Sequence, residues 1–305
     1  MTPDFIGPEA EAHLDWIALT DALIAGHRLP RAEIGDTFLY RGKDTLLSRA
    51  AWIDAIGSAV KTATITPANP GRGLPAVNGA MALFDDRTGV LSAMVDFHLV
   101  TKWKTAGDSL LSARLLARQD ARHILIVGAG TVGRSMVSAY RALFPDARIR
   151  VWNRTPAAAE RLASELPGVA VAQDLEASVR GADVIATATM TTEPLIHGEW
   201  LQPGTHLDLI GAYRPDMREA DDTVFARGLL FVDSRDTTVR HIGEVMGPIS
   251  RGVISEADIV ADFYDIAAGL YRRRSADEIT IAKNGGGAHL DLMTANYIRG
   301  AWLNR

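Results

Sequence analysis

The chain contains no cysteine in its 305 residues. That excludes disulfides, thiolate catalysis and cysteine-ligated metal, and it fits a cytoplasmic protein. An excess of basic charge is also missing: 32 Lys and Arg face 37 Asp and Glu, for a net charge of -5. The footprint of a nucleic-acid binder is therefore absent. No apolar run reaches the roughly 18 residues that a membrane span requires. The segment Met1–Asp15 is acidic and lacks the basic and apolar regions of a signal peptide. The eight histidines show no ligand spacing, so no metal site is predicted. Repeats and low-complexity segments are lacking too. What is there is an ordinary globular composition, 47% hydrophobic and 23% charged, with enough length for two domains.

The informative stretch is His123–Thr155. An apolar run, Ile124–Val127, leads into Gly128-Ala129-Gly130-Thr131-Val132-Gly133, and a helical pattern follows. A second apolar run, Ile149–Trp152, ends at Asn153-Arg154-Thr155. This is the strand, glycine turn, helix and strand of a dinucleotide-binding unit. The first glycine permits a tight turn, the second lets backbone approach the pyrophosphate, and the third lets helix and strand pack closely. The phosphates then face the helix N-terminus. An NAD site usually ends its second strand with Asp or Glu, to hold the ribose 2′-hydroxyl. Here Asn153 brings no carboxylate to repel a 2′-phosphate, Arg154 can pair with that phosphate, and Thr155 can donate to it. The sequence thus predicts NADPH, with NADH as the other possibility.

Around that unit the pattern changes. Ala12–Ala25 has helical spacing, and irregular chain is predicted after it. Thr45–Leu47, Ala59–Ile65, Ala80–Phe84 and Val90–Val95 read as strands, the last two joined by a turn at Asp85–Gly89. A helix is predicted over Thr105–Ala117. From there strands and helices alternate. The strands are Ile124–Val127, Ile149–Trp152, Val169–Ala172, Val184–Ala188, His206–Ile210 and Leu230–Val232, and a last helix covers His289–Leu303. This is an α/β fold, a doubly wound parallel sheet of the Rossmann kind. Ligands in such sheets lie beyond the carboxyl ends of the strands. The loops Thr187–Thr191, with Thr189 and Met190, and Gly211–Pro215, with Tyr213, are accordingly expected to border the nicotinamide.

Several stretches together resemble the ornithine cyclodeaminase/mu-crystallin family: residues 191–201, 203–206 and 211–222, Lys104–Ser109, and 277–287. The resemblance covers residues 28–300. It implies that the Rossmann domain, residues 119–288, is inserted in a second, α+β domain. That domain, residues 1–118 completed by helix 289–305, would bind substrate and form a homodimer. It also implies small imino or amino acid substrates whose carboxylate is held by cations matching Arg31, Lys61 and Lys104, with Lys61 and Lys104 in the catalytic role. Lys104 stands where the family has arginine, so a point charge replaces a bidentate fork. Asn78 matches a polar residue facing the substrate, and Thr105 a threonine touching cofactor phosphate. Tyr213 occupies the place of the aspartate that cyclodeaminases carry. The implied activity is NAD(P)H-dependent reduction of Δ1-pyrroline-2-carboxylate or Δ1-piperideine-2-carboxylate to L-proline or L-pipecolate. Asp108 and Tyr213 are candidate proton donors. Ornithine cyclodeamination, linear-imine reduction or alanine dehydrogenation, and non-catalytic NADPH binding are the alternatives.

Overall fold

The structure is a computed structural model that describes residues 2–305. It divides into two compact units. One comprises the chain up to Lys104 together with Gly287–Arg305, and the other comprises Thr105–Gly286.

The first unit holds a six-stranded sheet. Its strands are β1 (Asp4–Ile6), β2 (Glu33–Arg41), β3 (Asp44–Ile53), β4 (Gly57–Ile65), β5 (Val77–Phe84) and β6 (Leu91–Asp96), in the order β1-β6-β5-β4-β3-β2. All pairs are antiparallel except β1 with β6. Helix α1 (Trp16–Gly26) is capped by Asp15, whose carboxylate accepts from the Ala18 N–H at 2.8 Å. The predicted Ala12–Ala25 helix is therefore two pieces, a 3-10 turn over Pro8–His13 and then α1, because Asp15 is extended. Residues 33–41, predicted to be irregular, form the edge strand β2. It is exposed along its whole length, so no in–out alternation marks it. β3 runs well past the predicted Thr45–Leu47. Odd-numbered residues of β4, Ala59, Lys61 and Ala63 among them, are buried on one face. The last helix, α9 (Ala288–Leu303), covers that face.

Helix α2 (Phe97–Leu116) starts earlier than the predicted Thr105. The sequence-based domain boundary at 118/119 follows its end, whereas the compact units divide within it, at 104/105. The physical reason is packing: Ala113 and Ala117 of α2 belong to the same apolar cluster as Ile124, Ile126 and Met136.

The second unit is a seven-stranded, fully parallel sheet of the Rossmann kind. It comprises β7 (His123–Val127), β8 (Arg148–Trp152), β9 (Val169–Val171), β10 (Val184–Thr187), β11 (His206–Leu209), β12 (Leu229–Val232) and β13 (Thr280–Lys283). Their order is β12-β13-β11-β10-β7-β8-β9. β13 was not predicted, yet it lies inside the sheet, between β12 and β11. Helices α3 (Thr131–Leu143), α4 (Pro156–Glu165), α5 (Leu175–Arg180), α6 (Asp222–Arg227), α7 (Arg235–Thr238) and α8 (Gly243–Ser250) fill the connections. Two apolar clusters form. Ile124 and Ile126 point into one with Met136 and Leu162, and Leu125 and Val127 into the other with Val224 and Ile281. A core on each face is what a doubly wound sheet requires. Among the described residues, no helix is long and apolar enough to cross a membrane.

Candidate active site

In the second unit, strand order reverses direction at β7: β8 and β9 lie on one side, β10 and β11 on the other. A ligand crevice belongs at such a switch point, beyond the carboxyl ends of the strands. A cleft of about 350 Å³ opens there, lined by Gly128–Gly130, Trp152–Thr155 and Ala188–Thr191. Gly128 has φ +117°, and a side chain on it would meet the Ala188 carbonyl at 2.7 Å. At Gly133 a Cβ would lie 1.9 Å from the Gly128 carbonyl oxygen. Gly130 faces open space and caps α3 with no side chain. The first-turn N–H groups around Thr131 and Val132 are thus open to a phosphate.

The Asn153 side chain braces this turn: it accepts from the Ala129 N–H at 3.1 Å and donates to the Thr155 carbonyl at 3.0 Å. Beside it Arg154 is exposed, with no hydrogen bond or ion pair among the described residues. Thr155 precedes Pro156 at the start of α4 and makes no side-chain cap bond, so its hydroxyl is open to a ligand. Met190 and Tyr213 are exposed on the loops after β10 and β11. Thr189 and Gly211 are half-buried on the same loops, and Thr105 is half-buried in α2.

The first unit carries a buried cluster of charge. Lys61 Nζ donates to Asp291 Oδ1 of α9 at 2.8 Å and lies 4.9 Å from the centre of the Phe97 ring. Arg49, opposite Lys61 in the sheet, makes a two-pronged bond to Asp36. Burial, together with Lys104 and Arg49, pushes the Lys61 ammonium below its ordinary range against the pull of Asp291. Burial would raise Asp291, but Lys61, Lys104 and Arg49 outweigh it and hold the carboxyl below its usual value. Lys104 and Arg49 contribute to both downward shifts; the second oxygen of Asp291 has no hydrogen-bond partner among the described residues. His289 is fully buried in α9. Burial first, then His27, Lys104, Arg49 and Arg31, keep its imidazole neutral to well below the usual pH.

The structure therefore brings Lys61 and Lys104 into one electrostatic neighbourhood, while Arg31, itself exposed, acts on His289 of the same helix as Asp291. It does not bring Asn78 there. Asn78 pairs with Thr64, one step out of phase with Lys61, so it lies on the opposite face of the sheet, and its amide donates to the Pro75 carbonyl. Asp108 is buried in α2 rather than solvent-facing. Sequence reasoning missed Arg49, His289 and Asp291. Arg49 could have been found from the in–out alternation of a longer β3; nothing local marks Asp291.

A parallel sheet with this glycine turn at its switch point, and open phosphate-binding groups around it, defines an oxidoreductase that binds a nicotinamide dinucleotide. The chain belongs to the ornithine cyclodeaminase/mu-crystallin family, whose pattern matches residues 52–305. It is 52% identical over 303 residues to the Delta(1)-pyrroline-2-carboxylate reductase of Paracoccus denitrificans, covering 97% of this chain and 96% of that one. Among solved structures it is similar to the Delta(1)-pyrroline-2-carboxylate reductase of Thermococcus litoralis in complex with NADH and L-proline. The TM-score is 0.88, with 25% identity over 98% of this chain and 97% of that one. It is also similar to an archaeal alanine dehydrogenase dimer with bound NAD. There the TM-score is 0.89, with 27% identity over 100% of this chain and 97% of that one.

The turn gives a direct test. Gly133→Ala drives a methyl into the Gly128 carbonyl, an overpacking that costs about 1–3 kcal/mol. Denaturant unfolding of the variant is expected to show that loss, and nucleotide affinity to fall with it. Unchanged stability would mean that the close approach is not required.

Proposed function

We propose that this protein is a NAD(P)H-dependent reductase of small cyclic imino acids, with Δ1-pyrroline-2-carboxylate reduced to L-proline as the leading reaction and Δ1-piperideine-2-carboxylate reduced to L-pipecolate as its homologue. The observation that carries this reading is the buried Lys61–Asp291 pair with half-buried Lys104 and Arg49 acting on it, a positive field that suits an incoming carboxylate. The relative at 52% identity, itself a Delta(1)-pyrroline-2-carboxylate reductase, supports it.

In this reading the imino acid reacts as its iminium, protonated from solvent, and its C=N bond would become C–N on receiving at carbon the hydride that a bound nicotinamide would supply. Lys61 and Lys104 anchor the carboxylate and so orient the carbon for attack, with Arg31 adding to the field. The nicotinamide supplies the hydride; the chain supplies placement and electrostatics. With tyrosine at 213, no carboxylate stands where a cyclodeaminase has its aspartate, so ammonia release from ornithine is not part of this reading. Removing Lys61 alone would leave Asp291 buried and unpaired. The double variant Lys61→Met/Asp291→Leu therefore carries the test. Its kcat/KM with pyrroline-2-carboxylate is expected to drop about tenfold to a thousandfold, with nucleotide affinity unchanged. Full activity would refute the anchor.

NADPH is the preferred cofactor in this proposal. Arg154 and Thr155 are both open beside the N-terminus of α4, a setting for a 2′-phosphate. Arg154→Ala is expected to weaken NADPH by about 1.5–3 kcal/mol, the worth of a charged hydrogen bond, and to spare NADH. Equal weakening of both, read by titration, would show that Arg154 does not read the phosphate.

A homodimer is proposed as the assembly. On the face of the first sheet turned away from α9, the apolar residues Phe5, Leu39, Leu46 and Trp52 are exposed, Trp52 to 56%. A contiguous apolar sheet face of this kind calls for cover. Light scattering at micromolar concentration is expected to give twice the chain mass; a monomer would overturn the assignment.

A further inference from the structure

Among the buried ionisable groups of the second unit, one carboxylate joins two loops. Glu219, fully buried, lies between β11 and α6, and both of its oxygens reach back to the loops at the strand ends. Oε1 accepts from the Thr189 N–H at 2.7 Å and from the Thr189 hydroxyl at 2.6 Å. Oε2 accepts from the N–H of Gly211 at 2.7 Å and of Ala212 at 3.4 Å. One carboxylate thus ties the loop after β10 to the loop after β11. The fit is tight: a Cβ on Gly211 would lie 2.1 Å from the Thr189 carbonyl oxygen and 2.5 Å from Glu219 Oε1.

Two further charged groups stand behind it. Glu244 of α8, also fully buried, accepts from the N–H groups of Glu219 at 2.6 Å and Ala220 at 3.0 Å. Lys283 of β13 donates to the carbonyls of Leu209 and Ala212, each at 2.8 Å, and of Asn284 at 3.0 Å. Ala212 is therefore gripped at both ends of its peptide, by Glu219 on its N–H and by Lys283 on its carbonyl.

The cofactor's course gives this clamp its meaning. Its pyrophosphate belongs at the β7–α3 turn, and its adenosine ribose at the end of β8. The nicotinamide half must then run over the ends of β10 and β11, where the clamped loops are. We propose that Glu219 is a positioning residue that fixes these two loops to receive the nicotinamide half of the cofactor, without contributing to the adenine half. Only the kinetic arm of the test rests on the reductase reading.

Glu219→Gln keeps the volume but turns an amide N–H₂ toward backbone N–H donors, so at least one donor is left unmet. For this variant, ADP, which lacks the nicotinamide ribose, is expected to bind within about twofold of the wild type, because its contacts are elsewhere. NADPH is expected to bind more weakly, and kcat with pyrroline-2-carboxylate to fall about tenfold to a hundredfold at unchanged substrate KM. The isotope effect from NADPH deuterated at C4 should rise. Glu219→Asp, which keeps the charge, should recover part of the loss. Wild-type kcat in Glu219→Gln, or a parallel loss of ADP binding, overturns the proposal. Should both Glu219 variants fail to fold, Thr189→Val decides: it deletes one hydroxyl donor, and unaltered NADPH affinity in it overturns the proposal. If the wild-type protein ignores the ketimine, selective loss of NADPH over ADP in Glu219→Gln still upholds the clamp while the reductase reading falls.

A pH profile adds a readout that a merely structural role would not move. Burial first, then the charge of Glu219, push the Glu244 carboxyl from 4.5 up to about 7, with Lys283 and the two N–H groups pulling the other way. The folded state therefore holds a proton that the unfolded chain has released. The linked stability is whole below 4.5 and is lost as the pH rises through about 7. Above that, two carboxylates share one dry pocket. NADH affinity of the wild type, free of the 2′-phosphate's own titration, is expected to decline as the pH passes through this range, and that of Glu244→Gln to stay flat. An unaltered pH profile in Glu244→Gln overturns the link between Glu244 and the clamp.

Discussion

The first unit depends on one buried ion pair. Lys61 and Asp291 are 230 positions apart in the chain and 2.8 Å apart in space. Their bond fastens α9 to the buried face of the sheet. Burying either group alone would be costly, and their mutual attraction only partly offsets the loss of water. The same place gathers Lys104 and Arg49, so the cluster stays rich in positive charge after the pair has formed. In the proposed reading, structure and substrate recognition draw on one field. Asp291 keeps Lys61 in place without neutralising the whole cluster, and the remaining charge is what an imino acid's carboxylate would meet.

In the second unit the corresponding constraint is steric. Gly128 and Gly133 let strand, turn and helix approach so closely that a methyl at either position would strike a carbonyl. Asn153 then serves a purpose beyond lacking a charge. Its amide links the turn to Thr155 with one bond on each side. This braces the segment that carries Arg154 and leaves the guanidinium itself uncommitted. On the other side of the switch point, Glu219 and Lys283 do for the β10 and β11 loops what Asn153 does for the β8 loop. In each case a side chain satisfies backbone groups that would otherwise be free to move.

Much of this was legible in the sequence where burial is two-sided. Strands β7 and β10 are short apolar runs, because both faces are covered by helices. β13 escaped notice for the opposite reason. It has four residues, and one is a lysine whose ammonium meets three carbonyls inside the fold. β2 escaped because solvent reaches both of its faces and leaves no period to read. In the site, the glycine turn and the strand lysine could be recognised locally. Asp291 could not, since its partner is remote in sequence and α9 has no polar pattern pointing to it. Asn78 shows how narrow the margin is: a strand alternates at every residue, and one step of phase puts its side chain across the sheet from Lys61.

The interleaving of the two units also sets an order of assembly during synthesis. Residues 105–286 hold every strand of the parallel sheet, but the last of them, β13, ends only four residues before α9 begins. Domains generally fold as units while the chain emerges. The flanking sheet is in a different position: β4 is translated early and must wait for residue 291 before Lys61 has its counter-ion. Until then its apolar and charged face is uncovered, and the edge of β2 stands open. The first sheet thus emerges well before the helix that closes it, and in that interval mispairing between neighbouring chains has its opportunity.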